Sequence, residues 1–390
     1  MGWKAVWHYQ IIDFGSPVAD LDRVLERLII KVPVSGKKLR VLLDNRKNEE
    51  CLQLARIAAR IRNHGSENGM TDLTVRGRQN VELQPGETVF SDAVNVAVSA
   101  GDELEIDLWI QHAKRVRGLC QTWCARNWHS AFSRWQSTED QGDDWITSTA
   151  LIPWLREDVH VPNASVGLSQ VELLTDDTVK TIALFGDSIT HMSYYSDALA
   201  ERLARDYPGR AVIANAGIGG NRLCYDASFS PDLKEHSSVF GPAGYRRFEH
   251  DTFGLIHPDT VLMLEGVNDI THGFQYERLD QVPSAEFFCE RYAEVIDCAH
   301  RNGARIWVGT IMPENVFRSE DWYALSEKLR IEINDWIRHQ HLADGVLDFA
   351  AIADSGSGRL KDGFHLDGLH PNEAGGKEMA ELVPLELIMK

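Results

Sequence analysis

Apolar positions follow two different rhythms along the 390-residue chain. Up to about residue 155 they come in short runs separated by Gly, Pro, Asn and Asp. "LEIDLWI" (104–110) sets Leu104, Ile106, Leu108 and Ile110 against Glu105, Asp107 and Trp109, the period-two alternation of a half-buried strand. "KLRVLLDN", "DLTVRG", "NVELQPGE" and "AVNVAVSAGD" are further strand-like runs. Their spacing predicts a β-sandwich or jelly roll rather than a βαβ arrangement. "CLQLARIAARIRNHG" fits either an amphipathic helix through Leu54, Ile57, Ala58 and Ile61 or a strand, and periodicity leaves both open.

From about residue 178 strands and helices alternate. "VKTIALFG" reads as a strand followed by a helix through Tyr207, "RAVIANAG" as a second strand and "DTVLMLEG" (259–266) as a third. The long helix "SAEFFCERYAEVIDCAHRNG" leads to "ARIWVGT", and a helix over about 320–340 leads to "GVLDFA". A last helix is expected from Glu373 to the C-terminus. This alternation predicts a parallel sheet covered on both faces, with chemistry beyond the carboxyl ends of its strands. Pro153, Pro162, Asn163 and Gly167 interrupt the pattern within 155–178, so the expected domains are 1–170 and 171–390.

Composition narrows the class. A hydrophobic content of 43% and a charged content of 25% suit a soluble protein with a sizeable core, and the length suits two domains. The net charge of -18 disfavours nucleic acid and anionic membrane surfaces as partners. It fits a protein acting on neutral or cationic small molecules. No apolar stretch is long enough to span a bilayer. "MGWKAVWHYQIIDFG" has no apolar run of signal-peptide length and no basic leader, so a cytoplasmic location is expected. The six cysteines (Cys51, Cys120, Cys124, Cys224, Cys289, Cys298) are scattered, which favours reduced thiols. A homo-oligomer is allowed by all of this and required by none of it.

The first strand of the second half ends in "FGDSIT", at Gly186, Asp187 and Ser188. Serine before a helix is a common N-cap, and taken alone the stretch favours that reading. A nucleophile would need a base, an orienter for the base and donors for an oxyanion. Each is available after a later strand. "NAGIGGNRL" (215–223) is a glycine turn able to present a backbone N–H, and "EGVNDI" (265–270) places the amide of Asn268 just past a strand end. "DGLHPN" (367–372) sets Asp367 three residues before His370, where a carboxylate can hold the imidazole Nδ1–H and leave Nε2 to take the serine proton.

"FGDSIT", "NAGIGG", "GVND" and "DGLHP", in this order, resemble the four signature blocks of the SGNH (GDSL-type) hydrolases over about residues 178–390. The resemblance implies a flavodoxin-like three-layer α/β domain with a parallel sheet and ester hydrolysis with no cofactor and no metal. By position, Ser188 resembles the family nucleophile, and its own N–H the first oxyanion donor. Gly220 resembles the second donor, with Gly219 one residue away as the alternative, and Asn268 the third. His370 resembles the base and Asp367 its orienter. Ile189 stands where the family commonly has leucine, and Thr190 excludes the G-x-S-x-G elbow of α/β-hydrolases. The first half resembles, in pattern more than in residues, the β-sandwich that precedes the SGNH domain in some bacterial carbohydrate esterases, including acetylxylan-esterase-like members.

Other candidates carry less weight. "DGFHLDGLHPN" contains a second Asp-x-x-His, Asp362 with His365; Asp367 and His370 are preferred because "HPNEAGG" runs straight into the last helix. The four residues together could form a metal site, but nothing else completes one. His191 is read as a surface residue of the helix start, Asp187 as a partner of local backbone and Asp269 as a turn fixer. Cys224 has no base near it in sequence. Trp123, Trp128, Trp135, Trp145 and Trp154 stand among polar residues; the favoured reading packs them at a domain interface, and the functional one lines a sugar cleft with one or two.

The expectation is therefore a serine esterase removing short acyl groups, acetyl above all, from a small-molecule or oligosaccharide ester. A lysophospholipase or thioesterase of the same fold is the nearest alternative. A non-catalytic glycan-binding protein is the alternative of another class.

Overall fold

The computed structural model describes residues 1–63, 66–67, 69–140, 142–152, 163–226, 238–316 and 319–390. The chain divides into two compact units, Met1–Val179 with Tyr207–Val212, and Lys180–Asp206 with Ile213–Lys390. The strand Leu168–Thr175 pairs with Gly2–His8 and Gly36–Asp44 in the first unit. The division at Val179 accordingly lies beyond the expected 170/171.

The first unit is rich in antiparallel strands. One sheet runs Gly2–His8, Leu168–Thr175, Gly36–Asp44 and Val94–Val98. In a second, Glu103–Val116 lies between Ala19–Lys31 and Leu52–Asn63, with Trp128–Arg134 beyond Ala19–Lys31. The segment left open between helix and strand is thus a strand, matching Ile61 to Leu104 and Ile57 to Leu108 in an antiparallel ladder.

The period-two strand differs from expectation in one respect. Its second face is also buried, and Glu105, Asp107 and Trp109 are all 0% exposed. Arg27 grips Asp107 at 2.8 and 2.6 Å and reaches Glu105 at 3.0 Å. Arg60 approaches Glu105 at 2.8 Å, and the Arg56 guanidinium lies 4.8 Å from the Trp109 ring centre. Paired charges let carboxylates occupy a core where isolated ones would be too costly.

The tryptophans join this interior. Trp135 clusters with Leu25, Ala58 and Trp109, with Trp145 packed against them. Trp128 meets Trp7 and Tyr9 at 5.3 and 5.1 Å. These three pack the first unit's own core, unlike the interface and cleft roles expected of them. Trp154 and the interrupting Pro153 and Pro162 lie outside the described residues.

Among its described residues the second unit carries five sheet strands: β1 (Lys180–Gly186), β2 (Ala211–Gly217), β3 (Thr260–Leu264), β4 (Arg305–Gly309) and β5 (Gly345–Leu347). Their spatial order is β2-β1-β3-β4-β5, and β1/β3, β3/β4 and β4/β5 pair in parallel. That order reverses beside β1, the place where open α/β sheets present ligand sites. β3 is buried at every position, as a strand covered on both faces must be.

The helices are α1 (Ser188–His191), α2 (Tyr194–Asp206), α3 (Gly244–Phe253), α4 (Val267–Gln275), α5 (Ala285–Arg301), α6 (Glu320–His339), α7 (Phe349–Ala353) and α8 (Glu373–Leu382). They form two packed groups, α2 with α8 and α7, and α3, α4, α5 and α6. Ser284, Ser319 and Asn372 cap α5, α6 and α8 through side-chain oxygens, as their residue types predict. The helix expected from Glu373 to the C-terminus is interrupted at Pro384: α8 stops at Leu382, and a short helix, Leu385–Ile388, follows the proline. Among the described residues no helix is long and apolar enough to cross a membrane.

Candidate active site

At the end of β1 the chain must turn sharply into α1. A Cβ on Gly186 would come within 2.3 Å of the Leu264 carbonyl oxygen and of Thr190 Oγ1, so no larger residue fits there. Asp187, and not Ser188, is the helix cap: its Oδ1 accepts the Ile189 N–H at 2.9 Å. Ser188 is the first residue of α1, which leaves its hydroxyl uncommitted to capping.

That hydroxyl meets the turn before α8. Ser188 Oγ lies 2.8 Å from His370 Nε2, and His370 Nδ1 lies 2.7 Å from Asp367 Oδ2. The second carboxylate oxygen of Asp367 accepts the N–H groups of Leu369 and His370 at 3.0 and 2.9 Å. Partial burial raises the Asp367 pKa, but the His370 side chain and these N–H groups outweigh it and hold the carboxyl well below its usual range. An ionised orienter is the consequence, suited to an imidazole that becomes positive during a reaction.

The second Asp-x-x-His has a different task. His365 Nδ1 accepts the Gly368 N–H at 2.8 Å, and Asn315 donates its N–H to the Gly368 carbonyl at 2.6 Å. His365 therefore shapes the turn that carries Asp367 and His370. Among the described residues no group of three or more His, Cys, Asp or Glu side chains could hold a metal ion.

Asn268 sits in the first turn of α4, 3% exposed, and donates one amide N–H to the Asn221 carbonyl at 2.9 Å. An amide has a second N–H to offer. Gly220 has φ +73°, and a Cβ there would strike the Phe240 ring at 2.1 Å, so glycine is required on both counts. A Cβ on Gly219 would lie 4.0 Å from Ser188 Cβ, so this glycine faces Ser188. The glycine turn thus lies against Ser188 and is joined by hydrogen bond to Asn268.

Asp269 fixes this turn, accepting the Leu223 and Cys224 N–H groups at 2.6 and 2.8 Å. Burial pushes its pKa up to about 6 against those two donors. Burial also pushes the Cys224 thiol far up, with the Asp269 charge adding to it, which removes that thiol as a rival nucleophile. His191 is 2% exposed, so it is an interior residue and not the surface one expected.

Two features were not singled out from sequence. Phe240, His272 and Tyr276 form a ring row beside Gly220, with centroids 5.1 and 5.2 Å apart. Burial, and then the Arg222 charge, push His272 down to about 3, so it is a neutral ring there. Beneath the site lies Arg247 of α3, 4% exposed. The spacing of rings in "NDITHGFQYE" could have suggested His272 and Tyr276; nothing marks Phe240, or Arg247 within "GYRRFEH".

Residues 184–377 match the GDSL-like Lipase/Acylhydrolase family. Among solved structures, an α/β hydrolase enzyme from the metagenome of Lake Arreo, Spain, is 21% identical, covers 54% of this chain and 96% of its own, and has a TM-score of 0.41. A catalytic mutant of an acetylxylan esterase from Geobacillus stearothermophilus is 17% identical, with 54% and 94% covered and a TM-score of 0.41. A GDSL-like lipase from Bacteroides thetaiotaomicron is 16% identical, with 54% and 87% covered and a TM-score of 0.36. No curated protein sequence matches the chain.

Proposed function

Through residues 184–377 the chain belongs to the GDSL-like lipase/acylhydrolase family, and from that premise we propose that it is a serine esterase removing short acyl groups, acetyl above all, from carbohydrates. The observation that carries this reading is the unbroken series Asp367–His370–Ser188, with contacts of 2.7 and 2.8 Å.

In the reaction His370 Nε2 takes the Ser188 proton as Oγ bonds to the ester carbonyl carbon. The carbonyl oxygen becomes negative and is held by the Ser188 and Gly220 N–H groups and the Asn268 amide. The bond to the alcohol oxygen then breaks, and the His370 imidazolium protonates that leaving group. Water attacks the acyl-enzyme, giving one proton to His370, and the Ser188 oxygen departs with that proton as the acid is released. Asp367 keeps the imidazole oriented and offsets its charge.

Two features support a short acyl group on a polar substrate. The Phe240 ring fills the space against Gly220, where an extended acyl chain would need room. Past the strand ends, Tyr194, Tyr225, Asp226, Gln275 and Tyr276 keep exposed or half-buried polar groups, which match sugar hydroxyls and ring faces. The first unit is proposed as an accessory β-sandwich.

Turnover of p-nitrophenyl acetate and p-nitrophenyl octanoate by the wild type and Ser188→Ala tests the chemistry, and mass spectrometry of acetylated oligosaccharides tests the substrate. Acetyl turnover that is lost in Ser188→Ala, with deacetylated sugars formed, is expected. Faster octanoate cleavage would move the protein to the lipase reading. No ester turnover by the wild type would leave the glycan-binding alternative.

A further inference from the structure

The serine esterase reading needs three donors, on three separate segments, aimed at one point. Those segments follow β1 (Ser188), β2 (Gly220) and β3 (Asn268), and no two adjoin in sequence. An oxyanion site gains its effect from donors already in place, and a displacement of about 1 Å can cost about 10²-fold in rate. Something must fix their separation.

Resting on that reading, we propose that Arg247 is the positioning residue that locks the three donor-bearing segments into one frame. Its guanidinium has five N–H donors in a rigid fork, and five acceptors surround it. Nη2 donates to the Gly186 carbonyl at 2.9 Å, two residues before Ser188. Nη1 donates to the Ala216 carbonyl at 2.8 Å, ahead of the glycine turn, and Nε donates to Asn221 Oδ1 at 2.7 Å, just after it. The two remaining partners are carboxylates, Glu265 Oε1 at 3.3 Å from Nη2 and Asp251 Oδ2 at 3.2 Å from Nη1.

Asn221 passes the constraint on. Its carbonyl accepts the Asn268 amide N–H at 2.9 Å, and its own amide donates to the Phe240 and Pro242 carbonyls at 2.6 and 2.8 Å. One guanidinium thus holds the carbonyl ahead of the nucleophile, both sides of the glycine turn, and, through Asn221, the third donor. Helix α3 is itself pinned to the same turn, the Gly244 and Tyr245 N–H groups donating to the Arg222 and Leu223 carbonyls at 2.7 and 3.2 Å. The guanidinium also stacks 4.1 Å from the Phe185 ring centre, which fixes its plane. Arg247 reaches no reacting atom and acts through the segments it holds.

Arg247→Lys keeps the charge but offers three donors from one nitrogen, which cannot span acceptors arranged for a fork. Its kcat for p-nitrophenyl acetate is expected to fall about 10- to 100-fold with KM within about twofold, since the lost property is donor alignment in the transition state. In Arg247→Lys/Asn268→Ala the loss is expected to be well below the product of the two single losses, because both changes act on one set of donors. Thermal unfolding is followed in parallel, and Arg247→Gln carries the same measurements if the lysine variant does not fold. A folded variant with kcat within about threefold of the wild type, or losses that multiply independently, would overturn the proposal. Ser188→Ala in the same assay tests the underlying reading separately: full activity there would remove the serine mechanism, whatever Arg247 does.

Discussion

His370 and His365 stand five positions apart in near-identical Asp-x-x-His frames, yet one touches Ser188 Oγ and the other accepts a backbone N–H. Their substitution should separate base from scaffold. His370→Ala removes the proton acceptor and should lower kcat by several orders of magnitude. His365→Ala should cost far less, because it loosens the Gly368 turn but leaves the imidazole of His370 in place. Single-turnover rates with p-nitrophenyl acetate decide this, and greater damage from His365→Ala would reverse the assignment. Asn268→Ala should lower kcat by roughly 10²–10³ with a smaller change in KM, the effect of losing one oxyanion donor. A change confined to KM would mean that the amide binds the substrate ground state. These positions were legible because a serine, an asparagine or an Asp-x-x-His at a strand end is chemically distinctive. Arg247 was not, because its neighbour Arg246 is the same residue type on the same helix. Arg246 pairs with Asp226 at the surface, with a side chain 54% exposed, whereas that of Arg247 is 3% exposed. Only the packing of α3 tells the two apart.

Elements were legible where their patterns were local. β1 to β5 and the helices α2, α5 and α6 follow from apolar runs and 3.6-residue periods, and the caps from their residue types, whereas α3 and α4 were not expected. The first unit depends on pairing between distant segments. Leu52–Asn63 became a strand because Glu103–Val116 lies beside it, about fifty residues on in the chain. In Ala19–Lys31 the apolar residues Leu21, Val24, Leu25 and Leu28 recur at helix spacing. The backbone is nevertheless extended and steps out of alternation at Arg23, where φ is +48°. The cap of α1 is a similar case: "DS" offered two capping side chains, and geometry chose the first. Asp187→Ala should therefore lower stability by about 1 kcal/mol through the lost Ile189 N–H acceptor, whereas Asp187→Asn, an equally good cap, should hold it near the wild type. Urea unfolding of the two variants at about pH 6 is the check. Equal loss in both would show that the carboxylate charge, and not the cap, matters there.

At the scale of the whole molecule, the formal charge of -18 sits on a protein whose interior also holds carboxyl groups. Burial pushes Glu26 up to about 8, against the hydrogen bond that its Oε2 accepts from the Val166 N–H at 2.9 Å. It pushes Asp187 up to about 7 and Asp107 to about 6. Unfolding returns Glu26 to its ordinary value of 4.5. Between those two values the folded chain keeps a proton that the unfolded chain releases, so stability falls as the pH rises through this window. The contribution is fully present below about pH 4.5 and has been lost above about pH 8. Carboxyls held low, such as Asp367, act with the opposite sign, but their effect lies at more acidic pH. Glu26→Gln isolates the term, because glutamine fills the same space, still accepts the Val166 N–H and exchanges no proton. At about pH 5 the variant should match the wild type within about 1 kcal/mol, and at about pH 8 it should be more stable by a few kcal/mol, at about 1.4 kcal/mol per pKa unit. Denaturant midpoints at the two pH values measure the difference. Parallel behaviour of the two proteins would show Glu26 ionised in the folded state, and the first unit would then have to hold a buried negative charge with the Val166 N–H as its donor.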